Sequence, residues 1–453
     1  MANPANPKPK LPAIADLMAM FDASGIKEKL LWTFGFLVLY RLAAHIPIWG
    51  IQPEALALNS NASNIIAYLD MVTGGTLGRL SIVGLGIGPY ITASIILQLL
   101  TVAVPHLEHL QKEEGEAGRR KIAQYTRYGT LAIGAFQAFM ISQFIVRSGG
   151  VLPGANMAVV IGLAVIVLTT GALFSLWVAE MMTARGIGNG GSLLVFIGII
   201  SRLPITFGQI GQVAASATPA QAFMLLMLLV VFFATIGFVV ILQEAVRKVF
   251  IVSARRQVGS KVMSGQNTHI PFKINPGGVM PIIFAFAVIA FPTQILSYLL
   301  NSGINFGAFD SAFVFFVNEF SPGGSLYIAF EVLLIFFFTF FWASIMPNMQ
   351  PKDIADNLKK YGSSIPGIKP GRPTAAFLQD IFSKITFIGA AFLAVIVLVP
   401  NTIESTLAQG AGIQIFRGLG TTSLIILVAV AIDFVSQIRV NMLARQYEGF
   451  LKP

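Results

Sequence analysis

The sequence predicts an all-α polytopic membrane protein, with ten transmembrane helices in two inverted five-helix halves around a central pore. Composition is the first reason. Of 453 residues, 55% are hydrophobic and only 11% charged, and the mean hydropathy is +0.76, a balance that a fully water-facing surface does not tolerate. Hydropathy is the second, because ten apolar runs approach the roughly 20 residues that a helix needs to cross a bilayer. The third is charge asymmetry: 25 of the 30 Lys and Arg residues fall in alternate inter-span segments. The positive-inside rule puts those segments and both termini in the cytoplasm, and only an even number of crossings returns the chain to its starting side.

Residues 1–29 form a cytoplasmic N-terminal segment. It lacks the continuous apolar core and small-residue cleavage site of a signal peptide, and from about Leu11 to Phe21 it reads as an interfacial amphipathic stretch. The first half, 30–208, carries spans at 30–48, 81–104, 128–146, 157–179 and 192–208. The second, 209–440, carries spans at 222–243, 279–300, 325–346, 381–400 and 422–440, ahead of a cytoplasmic tail at 441–453. Five spans each give the halves opposite orientations, as in inverted-repeat membrane proteins, although the halves share no evident sequence similarity. The external loop 49–80 contains MVTGGTLGRL, which reads as a short re-entrant segment loosened by glycine. The two longest basic loops, 244–274 and 346–384, are cytoplasmic.

Four spans begin in a way that lipid would not accept. Gly84, Gly86, Gly88 and Pro89 crowd the start of the second, and Gly186, Gly188, Gly190 and Gly191 open the fifth. KINPGGVMP leads into the seventh and FRGLGTTSL into the tenth. Irregular backbone at membrane depth is tolerated only against protein or a water-filled cavity, so these breaks point to a pore or binding site. Alternatively, any one of them merely lets helices pack closely. The residues that follow are aliphatic, including Ile87, Ile91, Val195, Ile283 and Ile426. A constriction that holds back water and ions by dewetting suits them better than an ion-binding site.

Several function classes drop out. No cysteine is present, no GKS or GKT phosphate loop occurs, and no acid, base and nucleophile constellation emerges, so no enzymatic activity and no cofactor are expected. His106 and His109 lack a third convincing ligand, so no metal site is expected either. Arg41, Glu331 and Asp433 lie within spans, where an unpaired charge costs about 2.5 to 3.5 kcal/mol, so each is expected to face water or a partner.

Five stretches resemble one family. EGEAGRRKIAQYTRYGT (Glu114 to Thr130), GIGPYITASIILQLLT (Gly86 to Thr101), RGIGNGGSLLVF (Arg185 to Phe196), ADNLKKYGSSIPGIKPGRPT (Ala355 to Thr374) and GTTSL (Gly420 to Leu424) are similar to bacterial SecY, the channel subunit of the general protein translocase. The resemblance runs from about Ile26 to Leu451, with the motifs in order. It implies a channel that passes unfolded secretory chains across the membrane and releases apolar segments sideways into lipid.

By that resemblance a plug lies at about 65–75, carried by Ile65, Ile66, Leu69, Met71, Val72, Gly74 and Gly75. The pore ring falls on Ile87, Ile91, Val195, Ile283 and Ile426, with Gly191 standing where the family usually has a sixth bulky apolar residue. A lateral gate lies between spans two and three on one side and seven and eight on the other. Docking for the motor ATPase SecA and for ribosomal RNA falls on Arg247, Lys248, Arg255, Arg256 and Lys261 in one loop and on Lys352, Lys359, Lys360, Lys369 and Arg372 in the other. Implied partners are SecE, SecG, SecA, the ribosome, preprotein signal sequences and membrane lipid. The implied location is a bacterial plasma membrane, or a thylakoid. Read without the resemblance, the broken helices also fit a secondary solute transporter and, more distantly, an enzyme embedded in the membrane.

Overall fold

The computed structural model describes residues 25–51, 70, 73–112, 115–147, 150–152, 154, 156–253, 256–258, 261–263, 267–301, 310–320, 324–345, 350–411 and 421–451. Helices dominate. In chain order they are α1 (Ile26–Ala43), α2 (Gly88–Ala103), α3 (Pro105–Lys112), α4 (Gly115–Arg147), α5 (Met157–Arg185), α6 (Gly190–Ala215) and α7 (Pro219–Glu244). After a β-rich excursion come α8 (Met280–Asn301), α9 (Asp310–Glu319), α10 (Ser325–Ile345), α11 (Pro351–Lys360), α12 (Arg372–Ala411) and α13 (Thr421–Leu451).

Seven of these, α4, α5, α6, α7, α10, α12 and α13, are long and apolar enough to cross a membrane. Three further spans read from the sequence also coincide with helices, which fall short of that measure among the described residues. α1 has only 18 residues and carries Lys27, Glu28, Lys29 and Arg41. α2 has only 16 residues, because turns occupy the first third of its expected crossing, and the described apolar run of α8 spans Met280–Leu296. The second span was expected over 81–104, yet helix begins only at Gly88, with Pro89 in its first turn, where a missing N–H costs nothing. Overlapping turns through Ser81, Gly84 and Gly86 precede it.

The basic loop at 244–274, to which the sequence reading gave no secondary structure, is mostly strand among its described residues. β1 (Val246–Ser253) pairs antiparallel with β4 (Asn267–Lys273), and a smaller hairpin of β2 (Arg256–Val258) and β3 (Lys261–Met263) lies between them. β5 (Ser363–Ser364), from the other basic loop, adds to the free edge of β1. Beneath this sheet Val249, Ile251, Phe272, Ala355, Leu358, Ile365, Leu378 and Phe382 make one apolar cluster, so the two loops form a single body.

In the helical body α4 and α5 pack together, α2 packs on α4, and α1 packs on α5. On the other side α8 packs on α10, α10 on α12, and α7 on both α12 and α13. The two groups meet along two seams, α2 and α4 against α8, and α6 against α13 and α7. The outer face of α7, with Phe223, Leu226, Val230 and Phe233 all about half exposed or more, has the apolar character that lipid requires.

Candidate functional site

The glycine-rich entries explain how the aliphatic residues come together. Each of α2, α6 and α8 begins directly after a glycine-rich entry, and α2 starts partway through its expected crossing, so residues in or near the first turn of each are buried inside the bundle. The α6 entry is tight: a Cβ on Gly190 would run into the Ala179 carbonyl of α5. Asn189 caps that helix by accepting the Ser192 N–H at 3.2 Å, and Ile187 N–H donates to Thr33 Oγ1 of α1 at 3.1 Å. At α8, Asn275 Nδ2 donates to the Gly278 carbonyl at 2.7 Å and closes the turn that feeds the helix.

All five expected ring residues, Ile87, Ile91, Val195, Ile283 and Ile426, are between 4% and 9% exposed and belong to one apolar cluster. Ile91, Val195, Ile283 and Ile426 line a common cavity of about 70 Å3, together with Ile199 and Phe286. Ile87 is buried at the start of α2 beside it. One side of the cavity is closed by the turn residues Thr73, Leu77, Gly84 and Leu85. Polar lining is sparse, from Thr92, Gln137, Gln294, Thr422 and Ser423. Gly191 does not leave a simple hole: a Cβ placed there would meet the Tyr90 ring at 3.7 Å, so the aromatic side chain lies next to the space that a bulky residue would take.

The turn closing the cavity is fixed by polar groups that the sequence reading did not single out. Asp70 Oδ2 pairs with Arg202 of α6 at 3.2 Å, and Asp70 Oδ1 accepts the Gly78 N–H at 2.6 Å. Burial pushes the Asp70 carboxyl above the usual carboxylate range, against the opposing pull of Arg202 and of the Gly78 and Leu77 N–H groups. The Gly74 carbonyl accepts from Ser201 Oγ at 3.2 Å and from Arg41 Nη1 at 3.5 Å. A signal was present, since Asp70 is an acid beside a glycine-rich re-entrant segment and Arg202 a base on the side poor in bases. Of the residues expected to form the plug, Gly74 and Gly75 lie in this turn, both with positive φ (73° and 86°), where glycine is favoured. Ile65, Ile66, Leu69, Met71 and Val72 lie outside the described residues.

The charges expected to need partners have neighbours. Arg41 reaches the Gly74 carbonyl, and Glu331 Oε1 accepts from Thr422 Oγ1 at 3.1 Å, joining α10 to α13. Asp433 lies against the turn before α8, its Oδ2 3.5 Å from where a Gly278 Cβ would stand. At the seam between α4 and α8 the rings of Phe136 and Phe291 meet with centroids 6.2 Å apart. His106 and His109 are exposed, and among the described residues no group of side chains could hold a metal ion.

Most of the residues expected to dock partners lie on the two joined loops. Arg247 and Lys248 are exposed on β1, Lys352, Lys359 and Lys360 on α11, Lys369 on the segment leading into α12 and Arg372 at the start of α12. Arg256 and Lys261 belong to β2 and β3, and Arg255 lies outside the described residues.

Residues 81–435 match the SecY family model. The chain is 42% identical to the protein translocase subunit SecY of Synechocystis sp. over 438 residues, 96% of each chain. Among solved structures it resembles one of a SecY whose plug domain stabilises the closed state of the translocation channel and maintains a membrane seal, with a TM-score of 0.66 and 18% identity over 94% of this chain and 95% of that one. It also resembles Sec61 in the canine ribosome–channel complex from the endoplasmic reticulum, with a TM-score of 0.64 and 17% identity over the same shares.

Proposed function

Since the chain belongs to the SecY family and is a protein-conducting translocation channel, we propose that Ile87, Ile91, Val195, Ile283 and Ile426 form its pore ring. The observation that carries this reading is the burial of these five aliphatic side chains in one cluster, four of them around one cavity. Aliphatic groups can close around an extended chain of any sequence without preferring it, and when no chain is present their dewetting holds back ions. The segment around Ile65 to Gly75 is the plug, seated on the external side of the ring by the turn that ends it. The seam between α2 and α4 on one side and α8 and α10 on the other is the lateral gate, through which apolar segments leave for lipid.

The full membrane body is ten helices in two inverted halves, 30–208 and 209–440, with both termini in the cytoplasm of a plasma membrane. α1, α2 and α8 complete the crossings begun by the seven longer helices. The basic face of the joined loops 244–274 and 346–384 docks SecA or ribosomal RNA, as the ribosome-bound relative supports. Energy comes from those partners, and SecE and SecG complete the assembly. Membership of the family removes the ground for the solute-transporter reading.

A photo-reactive side chain at position 283, in channels jammed with a stalled preprotein, tests the reading. It should cross-link to the translocating chain, while the same probe at Phe233 on the outer face of α7 should not. Equal labelling at both positions, or none at 283, would overturn the ring. Reporter domains fused after Pro153 and Gly307 should be external, and those after Lys112 and Gly259 cytoplasmic; one clear reversal would break the ten-span arrangement.

A further inference from the structure

The turn that ends the plug is not held by apolar contact alone. Asp70 is 7% exposed and separated from Arg202 by most of the first half of the chain, yet their side chains meet at 3.2 Å. The guanidinium is itself largely buried, and its Nη1 has no partner among the described residues, so Asp70 carries much of its compensation. The same carboxylate accepts the Gly78 N–H and thereby holds the turn in shape. One helical step away on α6, Ser201 donates to the Gly74 carbonyl. Gly74 lies flat on Gly198, and a Cβ at Gly74 would run into the Gly198 backbone. Gly198, Ser201 and Arg202 sit three and four residues apart, so they present one face of α6 to the turn. Backbone seat, hydroxyl and charge therefore coincide.

Such a contact behaves differently from an aliphatic seal. In place, the two charges compensate each other at low dielectric; if one loses its partner while still buried, the cost is large. If the whole turn swings away into a water-filled pore, both charges are rehydrated and the cost is modest. That combination favours all-or-none release over gradual loosening.

We propose that Asp70 and Arg202, with Gly74 seated on Gly198, form a latch that holds the plug closed and sets the threshold a client must overcome to open the channel. They are positioning residues that determine specificity, and they need not touch the translocating chain. The proposal rests on the plug reading above, and its test separates the two.

Asp70→Asn, Arg202→Gln and the exchange Asp70→Arg with Arg202→Asp are reconstituted with the assembled translocase. Three quantities are measured: ion conductance without substrate, translocation of a preprotein with a defective signal sequence, and the distance between spin labels at Thr73 and Ile199. Each single variant should raise resting conductance and defective-client transport about tenfold, with little change for the intact preprotein. The exchange should restore most of the discrimination, and Arg202→Lys, which keeps the charge, should lie near wild type. Wild-type selectivity in both single variants overturns the latch, as does an exchange no better than the singles combined. Should Arg202→Gln fail to insert, Asp70→Asn, which keeps the side-chain shape, still reads the loss. If the labels stay together in wild-type channels engaged by preprotein, the plug reading fails. If they separate in the wild type, and Asp70→Asn neither separates them at rest nor lowers the threshold, the latch alone fails.

Discussion

Gly171 of α5 packs directly beneath the Ile82 carbonyl, leaving no room for a β-carbon between the helix and the turn that precedes α2. Helix and irregular backbone touch here without an intervening side chain. That close approach lets the turn residues 81–87 lie inside the bundle, and it sets the depth at which Ile87 and Ile91 begin the helix.

Gly171→Ala is therefore expected to be costly, although alanine favours a helix. The added methyl must push Ile82 or α5 aside, an overpacking penalty of about 1 to 3 kcal/mol. Thermal unfolding of the detergent-solubilised protein should shift down, and the resting channel should leak as the ring loses register. Gly162, on the same helix with open space around it, is the matched control and should accept alanine without loss. Equal behaviour of the two variants would contradict the close contact.

Much of this was legible because hydropathy and charge are written locally. The ten apolar runs each coincide with a helix, and the aliphatic residues after the glycines gather in one cluster. What was not legible depended on distant partners. No spacing rule pairs Asp70 with Arg202, which are remote in sequence and meet only because α6 passes the turn. The sheet at 246–273 was missed for another reason. Val249 and Ile251 are buried while Lys248 and Phe250 between them are exposed, an alternation with the period of a strand. It was hidden by a density of basic residues that reads as a solvated loop. The start of α2 was placed too early because hydropathy cannot tell apolar turns from apolar helix.

The ring itself is tested by polarity. Ile283 and Ile426 are each 5% exposed and face the same cavity. Replacing either with Asn puts an amide into an apolar constriction, where it recruits water and weakens the closed state. Resting conductance in planar bilayers should rise, and poorly matched signal sequences should be admitted more readily. Leu242, buried but away from the cavity, serves as the comparison, since Asn there should lower stability without making the channel leak. Wild-type conductance and selectivity in both ring variants would withdraw these residues from the constriction.

At the seam between α4 and α8, the Phe136 and Phe291 rings are the groups to join. With centroids 6.2 Å apart, cysteines at these two positions are within reach of a short bifunctional cross-linker. Linked channels should fail to release a membrane-anchor segment into lipid, and cleaving the linker should restore release. A channel that inserts such segments equally well while linked would move the lateral exit to another seam.

The basic platform yields a prediction that depends on charge and salt together. Lys352 is exposed on α11 and Arg256 lies on β2, so one residue comes from each of the two loops that β1 and β5 join. If these loops only set orientation and meet anionic lipid, reversing one charge in each leaves partner binding unchanged. If they dock phosphate-rich RNA or an acidic face of a motor, each lost contact lowers affinity and flattens its salt dependence. The pair Arg256→Glu and Lys352→Glu should leave insertion, topology and assembly with SecE intact, because most of the basic residues that orient the chain remain. Binding to ribosomes or SecA should weaken about tenfold at low salt, and the difference from wild type should shrink as salt rises. Nanodisc-embedded protein titrated at several salt concentrations gives both numbers, with translocation rate measured in parallel. Undiminished affinity for both partners would leave these residues as determinants of orientation alone. A loss that persisted unchanged at high salt would instead indicate damage to the apolar cluster beneath the sheet, where Val249, Phe272 and Phe382 hold the loops together.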